Sequence, residues 1–276
     1  MLLPAMLPTA VVLGAGLGAA ALASTGLAPL VGQPRPSLDA YRSLAAGREA
    51  RDGLLVSVWL ATASTVLAVT VGLGIALLAR TGRRTGRLLG ALAAATVPVP
   101  HVVGAAAVGL LLADSGLVGR VLGIPPESFP ELVAGPWWAA VVLEYAWKES
   151  AFVALVVLAA LAAQERELDE AAATLGAGPW QRLRRVALPL AAPAAVASGG
   201  ICFAYVLGSY EVAWILGRTY PEPLPVLAHR LFTDVDLASR DGALATALVT
   251  TVLCVASLAA AVAVLGRVPA ARGSVR

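Results

Sequence analysis

The sequence predicts an all-α polytopic membrane protein with six transmembrane helices. Three observations carry this. Of 276 residues, 59% are hydrophobic and only 13% charged, against about 25% charged in an ordinary soluble domain. The apolar residues fall in blocks long enough to cross a bilayer, which takes roughly 20 residues each. The charges gather between those blocks, and the basic ones are all arginine except Lys148. The low aromatic content, 5%, and the lack of alternating ten-residue strands exclude a β-barrel.

The blocks run at about 7–31, 54–79, 88–113, 136–163, 191–216 and 243–266. The first resembles a signal peptide in position only. Residues 1–8 carry no Lys or Arg, and the apolar run exceeds the usual 7–15-residue core of a leader. It is expected to be a retained helix. The second is preceded by PSLDAYRSLAAGREARDG (36–53), whose mixed charges and scattered apolar residues suit an amphipathic piece on the interface. The third contains Pro98 and Pro100; backbone freed by proline in a membrane is tolerated only where protein or a water-filled cavity covers it. The chain divides into 1–53 (first helix and outer loop), 54–266 (a core of five helices) and 267–276 (a tail).

Arginine sets the orientation. RTGRRTGR (80–87), the block 164–189 and the tail are all rich in arginine, and the first and last contain no acid. Short arginine-rich loops stay in the cytoplasm. Both termini and the 164–189 block are therefore expected to be cytoplasmic. The net charge of +3 follows from topology, and nucleic acid is not an expected partner. Cys202 and Cys254 lie in apolar runs and read as small core residues, with no metal-ligand neighbourhood.

The block 164–189 is the most ordered polar stretch. Leu168, Ala172 and Leu175 share one helical face. Acids at 165, 167, 169 and 170 crowd the start, where the helix dipole favours them. Gly176 is placed as a C-terminal cap, and Pro179 suits the first turn of a second helix. Arg182, Arg184 and Arg185 follow toward that helix's end, and Leu188-Pro189 is expected to close it. The result is a helix–turn–helix elbow of a size to dock in a groove on a soluble partner. A charged loop that merely anchors two spans is the plainer reading.

These residues resemble the signature of binding-protein-dependent ABC transporter permeases: Glu-Ala-Ala, three residues, Gly, nine residues, Ile, one residue, Leu-Pro. Here it is Glu170-Ala171-Ala172, Gly176, Val186 in the Ile place, and Leu188-Pro189. Residues 146–152 and 96–112 are similar to the family's spans ahead of the elbow. Residues 209–249 resemble polyamine, iron and thiamine permeases, which favours a polyamine-like solute. Where many relatives have a proline before Glu-Ala-Ala, this chain has GlnGluArgGluLeuAsp.

The resemblance implies a type I ABC importer permease fold in a bacterial inner (plasma) membrane. It implies partners: two ATP-binding cassette ATPase subunits on the elbows, a second permease (same or sister chain) completing the pore, and an extracytoplasmic solute-binding protein. It places no cofactor on this chain, with ATP and Mg on the ATPases. The sequence contains no Gly-x-x-x-x-Gly-Lys-Ser/Thr loop, which agrees with a non-catalytic subunit. An ion-coupled secondary transporter or a membrane scaffold is the alternative, neither of which needs an ATPase-docking signature.

Ionisable residues inside spans are expensive and point to function. Glu144 and Lys148 stand at i, i+4 with the acid first, the favourable order for a helical pair; a self-neutralising structural pair and a pathway pair are both open. Glu149 is expected to be left over, facing water or another subunit. Tyr210 and Glu211 near the outer end of the fifth span are either an interfacial tip or a mouth lining. His101 is either a hydrogen-bonded filler or a pathway residue.

Overall fold

The computed structural model describes residues 3–29, 33–81, 84–162 and 165–267. The expected cytoplasmic tail after 267, part of the basic segment at 82–83 and the junction at 163–164 lie outside them. Among the described residues the regular structure is helical throughout. Six helical stretches are long and apolar enough to cross a membrane.

In chain order the helices are α1 (Leu3–Ser24), α2 (Asp39–Ala46), α3 (Arg48–Ala79), α4 (Arg84–Thr96), α5 (His101–Leu112) and α6 (Leu117–Leu122). Then come α7 (Ala139–Ala162), α8 (Glu165–Thr174), α9 (Pro179–Arg182), α10 (Leu188–Gly208), α11 (Glu211–Leu216), α12 (Leu224–Phe232) and α13 (Ser239–Leu265). A π-helical turn over Leu183–Ala187 joins α9 to α10.

Several boundaries differ from the apolar blocks, each for a local reason. The first helix stops at Ser24, not 31, because Gly26 adopts φ +67. There Gly26 accepts a hydrogen bond from the Arg35 amide, and a side chain at 26 would run into the Arg35 carbonyl. The amphipathic piece is the short α2, which ends at Gly47; α3 then begins at Arg48, six residues earlier than the apolar run. The expected third span is two helices, α4 and α5, parted at 97–100 by Pro98 and Pro100. The expected fifth span starts earlier, at Pro179, and breaks at 209–210 before α11.

The chain forms two compact units: 1–58 with 207–210 and 219–254, and 59–206 with 211–218 and 255–276. In the first, α12 and the segment leading into it are stitched to the start of α3. The Leu224 amide donates to Ser57 Oγ at 2.9 Å, the Tyr220 hydroxyl donates to Asp52 at 3.0 Å, and Arg230 reaches both Glu222 (2.6 Å) and Glu49 (2.9 Å). Ser24 and Tyr41 share a hydrogen bond of 2.8 Å.

In the second unit α7 is the central rod. Of its apolar window 56% is buried, against 6% for α1 and for α13, so α7 packs against protein while those two leave their apolar faces for lipid or another chain. Its core face joins Val153, Val157 and Leu161 to Ala76 of α3 and Ala191, Ala195 and Cys202 of α10. Small residues permit this, as is usual between membrane helices. At Gly72 an added Cβ would stand 2.6 Å from the Ser150 carbonyl and 2.7 Å from Val153 Cβ.

Candidate functional site

The elbow is two helical limbs, α8 and α9, joined by the four residues Leu175 to Gly178. α8 ends in a left-handed cap at Gly176, φ +82. The Gly176 amide donates to the Ala173 carbonyl and the Ala177 amide to the Ala172 carbonyl, both at 3.0 Å. This pair of bonds is the Schellman motif, which satisfies the last carbonyls of a helix. Gly178 is the extended N-cap of the second limb, and Pro179 takes its first position, where the missing N–H is not needed.

An ion pair fixes the limbs to each other. Arg182 donates to Asp169 at 2.6 Å, with both side chains 27% exposed. Outside that clasp the elbow is open: Leu175 is 88% and Trp180 69% exposed, and Glu170 and Ala171 are also exposed. Ala172 is half-buried.

One expectation is corrected. Leu188-Pro189 does not close the second helix; the chain continues helically from Pro179 to Gly208. Pro189 lacks the N–H that an α-helix would direct to the carbonyl four residues back. The preceding turn is π-helical, with the Leu188 amide bonded to the Leu183 carbonyl, and the helix carries on past the proline. Val186 and Leu188 are half-buried on this stretch and Pro189 is exposed.

The second site is a polar cluster buried among α5, α7 and α10. His101 is the first residue of α5, directly after the proline break. Its Nδ1 lies 3.2 and 3.3 Å from the two carboxylate oxygens of Glu144. Its Nε2 lies 3.5 Å from Glu149 Oε1. The Cys202 thiol of α10 donates to Glu149 Oε2 at 3.1 Å. Tyr205 and Tyr145 flank the imidazole, with ring centroids 5.1 and 5.8 Å away. Glu144 is completely buried. Both ring nitrogens thus face carboxylates, and only the doubly protonated ring donates to both.

Lys148 has another role. Its Nζ donates to the carbonyls of Thr96 (2.8 Å), Val97 (3.4 Å) and Val99. Pro100 has no N–H to offer the Thr96 carbonyl, so the lysine supplies donors that the proline break removed. The expected Glu144–Lys148 pair is therefore replaced by two longer-range attachments, Glu144 to His101 and Lys148 to the break. Glu149 is not left over but engages His101 and Cys202. Gly104, one turn after His101, makes the approach possible, since a Cβ there would stand 2.7 Å from Glu144 Oε1.

Tyr210 packs on His229 with ring centroids 4.5 Å apart, and Glu211 is an exposed first-turn residue of α11. The sequence reading missed Glu149, Cys202, Tyr145 and Tyr205 as members. Glu144 and Lys148, at i and i+4, share a helical face, but Glu149 stands about 140° around the helix from Glu144 at 3.6 residues per turn, so spacing gave no signal for it. The partners on α10 are 53 residues further along for Cys202 and leave no local pattern.

A family model described as binding-protein-dependent transport system inner membrane component matches residues 68–268. The molybdenum transport system permease protein ModB of Azotobacter vinelandii is 31% identical over 183 residues, covering 64% of this chain and 77% of that protein. ModB of Mycobacterium tuberculosis is 34% identical over 191 residues, covering 67% and 70%. Among solved structures, a bacterial ABC transporter involved in importing the acidic polysaccharide alginate superposes with a TM-score of 0.79 at 20% identity, over 98% of this chain and 94% of that one.

These relatives give no support to the polyamine-like solute suggested by residues 209–249. The pattern there has a structural cause. Leu216, Leu224 and Val226 are buried, and Gly217 makes room for Trp138, whose ring would stand 2.1 Å from an added Cβ. The Leu-Gly and Leu-Pro-Val elements thus take part in packing.

Proposed function

Since the chain belongs to the family of binding-protein-dependent transport system inner membrane components, and so is the multi-pass permease subunit of an ABC importer whose ATPase is a separate subunit, we propose that it passes a tetrahedral oxyanion of the molybdate type. The observation that carries this is the similarity to permeases named for molybdenum over about two thirds of the chain. A solute-binding protein outside delivers the anion, and a second permease, identical or sister, completes the pore. Selectivity in this reading rests chiefly on the binding protein.

The elbow is the proposed ATPase contact. Glu170, Ala171 and Ala172 offer one limb, the turn at Gly176 sets the angle, and Val186 to Pro189 continue into the membrane. Exposed Leu175 and Trp180 supply apolar anchors of the helix-in-groove kind. Two ATPase subunits carrying ATP and Mg drive the cycle.

The test is uptake in cells lacking the chromosomal copy. With the gene restored, molybdate accumulation at low external concentration is expected to return, to be competed by tungstate, and to be indifferent to putrescine. Restored growth with no gain in molybdate uptake refutes the substrate assignment.

A further inference from the structure

The elbow's limbs lead into the two helices that meet at the polar cluster. The first limb, α8, follows α7; the second limb and α10 are one helical rod over Pro179–Gly208. Within the membrane Glu149 of α7 and Cys202 of α10 touch at 3.1 Å. His101 contacts both: the two carboxylates of α7 and the ring of Tyr205 on α10. His101 also opens α5, immediately after a break whose carbonyls are held by Lys148 of α7. One residue of α5 is thus tied to both spans that flank the elbow.

We propose that His101 is a positioning residue for energy coupling: it passes displacement of α7 and α10 on to α5. This rests on the reading of the elbow as the ATPase contact. The chemistry suits the task. A ring held by carboxylates at both nitrogens resists sliding along α7, whereas apolar packing alone would permit it. Polar groups inside a membrane keep their hydrogen-bond partners because an unpaired one there is costly. Lys148 binds the break itself to α7, so α5 is fixed by its first residue and by the segment before it. The proline break ends α4 at Thr96, so α5 is attached to α7 through its own contacts and not through a helix continuous with α4.

The experiment uses the complete transporter (permease, ATPase and binding protein) in proteoliposomes, with molybdate as probe. Both ATP hydrolysis and uptake are measured. For His101→Gln, hydrolysis stays within about twofold of wild type while uptake per ATP falls about tenfold or more, a split that a general folding defect does not produce. Glu144→Gln gives a similar loss, and the double variant is no worse than either single one, as expected of groups acting as a pair. Should His101→Gln fail to accumulate, Glu149→Gln gives the same split. Unchanged uptake per ATP in these variants, additive losses, or release of the ATPase from His101→Gln overturns the proposal.

A second readout needs no solute and separates this inference from the substrate assignment. Spin labels at Gln181→Cys and Leu110→Cys, in a Cys254→Ala background, report the separation of elbow and α5. ATP binding changes that separation in otherwise native protein and not in His101→Gln. An equal change in both refutes the coupling role, whatever the solute.

Discussion

Gly176 and Gly178 offer a sharp comparison. They lie two residues apart in the elbow turn, and an added Cβ at either would meet nothing within 4 Å. They differ in backbone: Gly176 has φ +82, Gly178 φ −69. An L-residue in the left-handed region costs roughly 1–2 kcal/mol, while at φ −69 alanine is at ease. Gly176→Ala is therefore strained in its observed turn, and the elbow either bears the strain or opens the Schellman cap. If only the observed turn binds the ATPase, affinity drops by about 5- to 30-fold, from roughly 1.4 kcal/mol per factor of ten. Gly178→Ala stays near wild type. Gly176→Asn falls between, because asparagine tolerates the left-handed region better than alanine. The assay is ATPase retention on the tagged, detergent-solubilised permease, titrated with ATPase, beside uptake in cells. Equal losses for both alanine variants would show that the groove rejects any side chain there, and the conformational argument would fail.

Three further outcomes follow from the packing. Lys148→Met removes the donor of the Val97 and Val99 carbonyls, while Thr96 keeps the Val99 amide, at about 1–3 kcal/mol per carbonyl left unsatisfied; thermal melting in detergent should drop by several degrees, with Lys148→Arg less affected. Gly72→Val forces α3 away from the Ser150 carbonyl and Val153, at about 1–3 kcal/mol for overpacking, and should lower the amount of folded protein recovered by size exclusion. Arg230→Ala strands Glu222, which is buried to 7% exposure, and should destabilise by about 1–3 kcal/mol. Because Glu222, followed by Glu49, raises the guanidinium's pKa, raising pH into the alkaline range should not release this contact in the wild type.

Much of the elbow was legible in the sequence because its determinants are local. Gly176, Pro179 and the periodicity of Leu168, Ala172 and Leu175 act over a few residues, and the structure shows the cap and helix start where those residues place them. The π-turn before Pro189 was not legible, since proline alone does not say whether a helix ends or re-registers. The membrane cluster was half legible. Glu144, Lys148 and His101 stood out as ionisable groups in apolar runs, but their pairing depends on which helices pack together. The i, i+4 rule for Glu144 and Lys148 describes an isolated helix; two other demands, the half-buried His101 imidazole and the carbonyls of the proline break, drew them apart. Span limits shifted where glycine or proline overruled hydropathy, at Gly26 and at 97–100.

The helix from Pro179 to Gly208 has thirty residues, about 45 Å at 1.5 Å per residue. A rod of that length turns small angles into useful strokes: a tilt of about 5° at one end carries the other through about 4 Å, with length from the helical rise. Wider hydrogen-bonded rings make the π-turn at Leu183–Ala187 its least regular section. That section lies near the elbow end, and Pro193 removes one more ladder hydrogen bond a turn beyond Pro189. Inserting or deleting one residue there would rotate everything downstream by about 100° around the axis, given 3.6 residues per turn. The reach of the arm and the facing of Cys202 and Tyr205 are thus set together by a five-residue stretch outside the apolar core of the span.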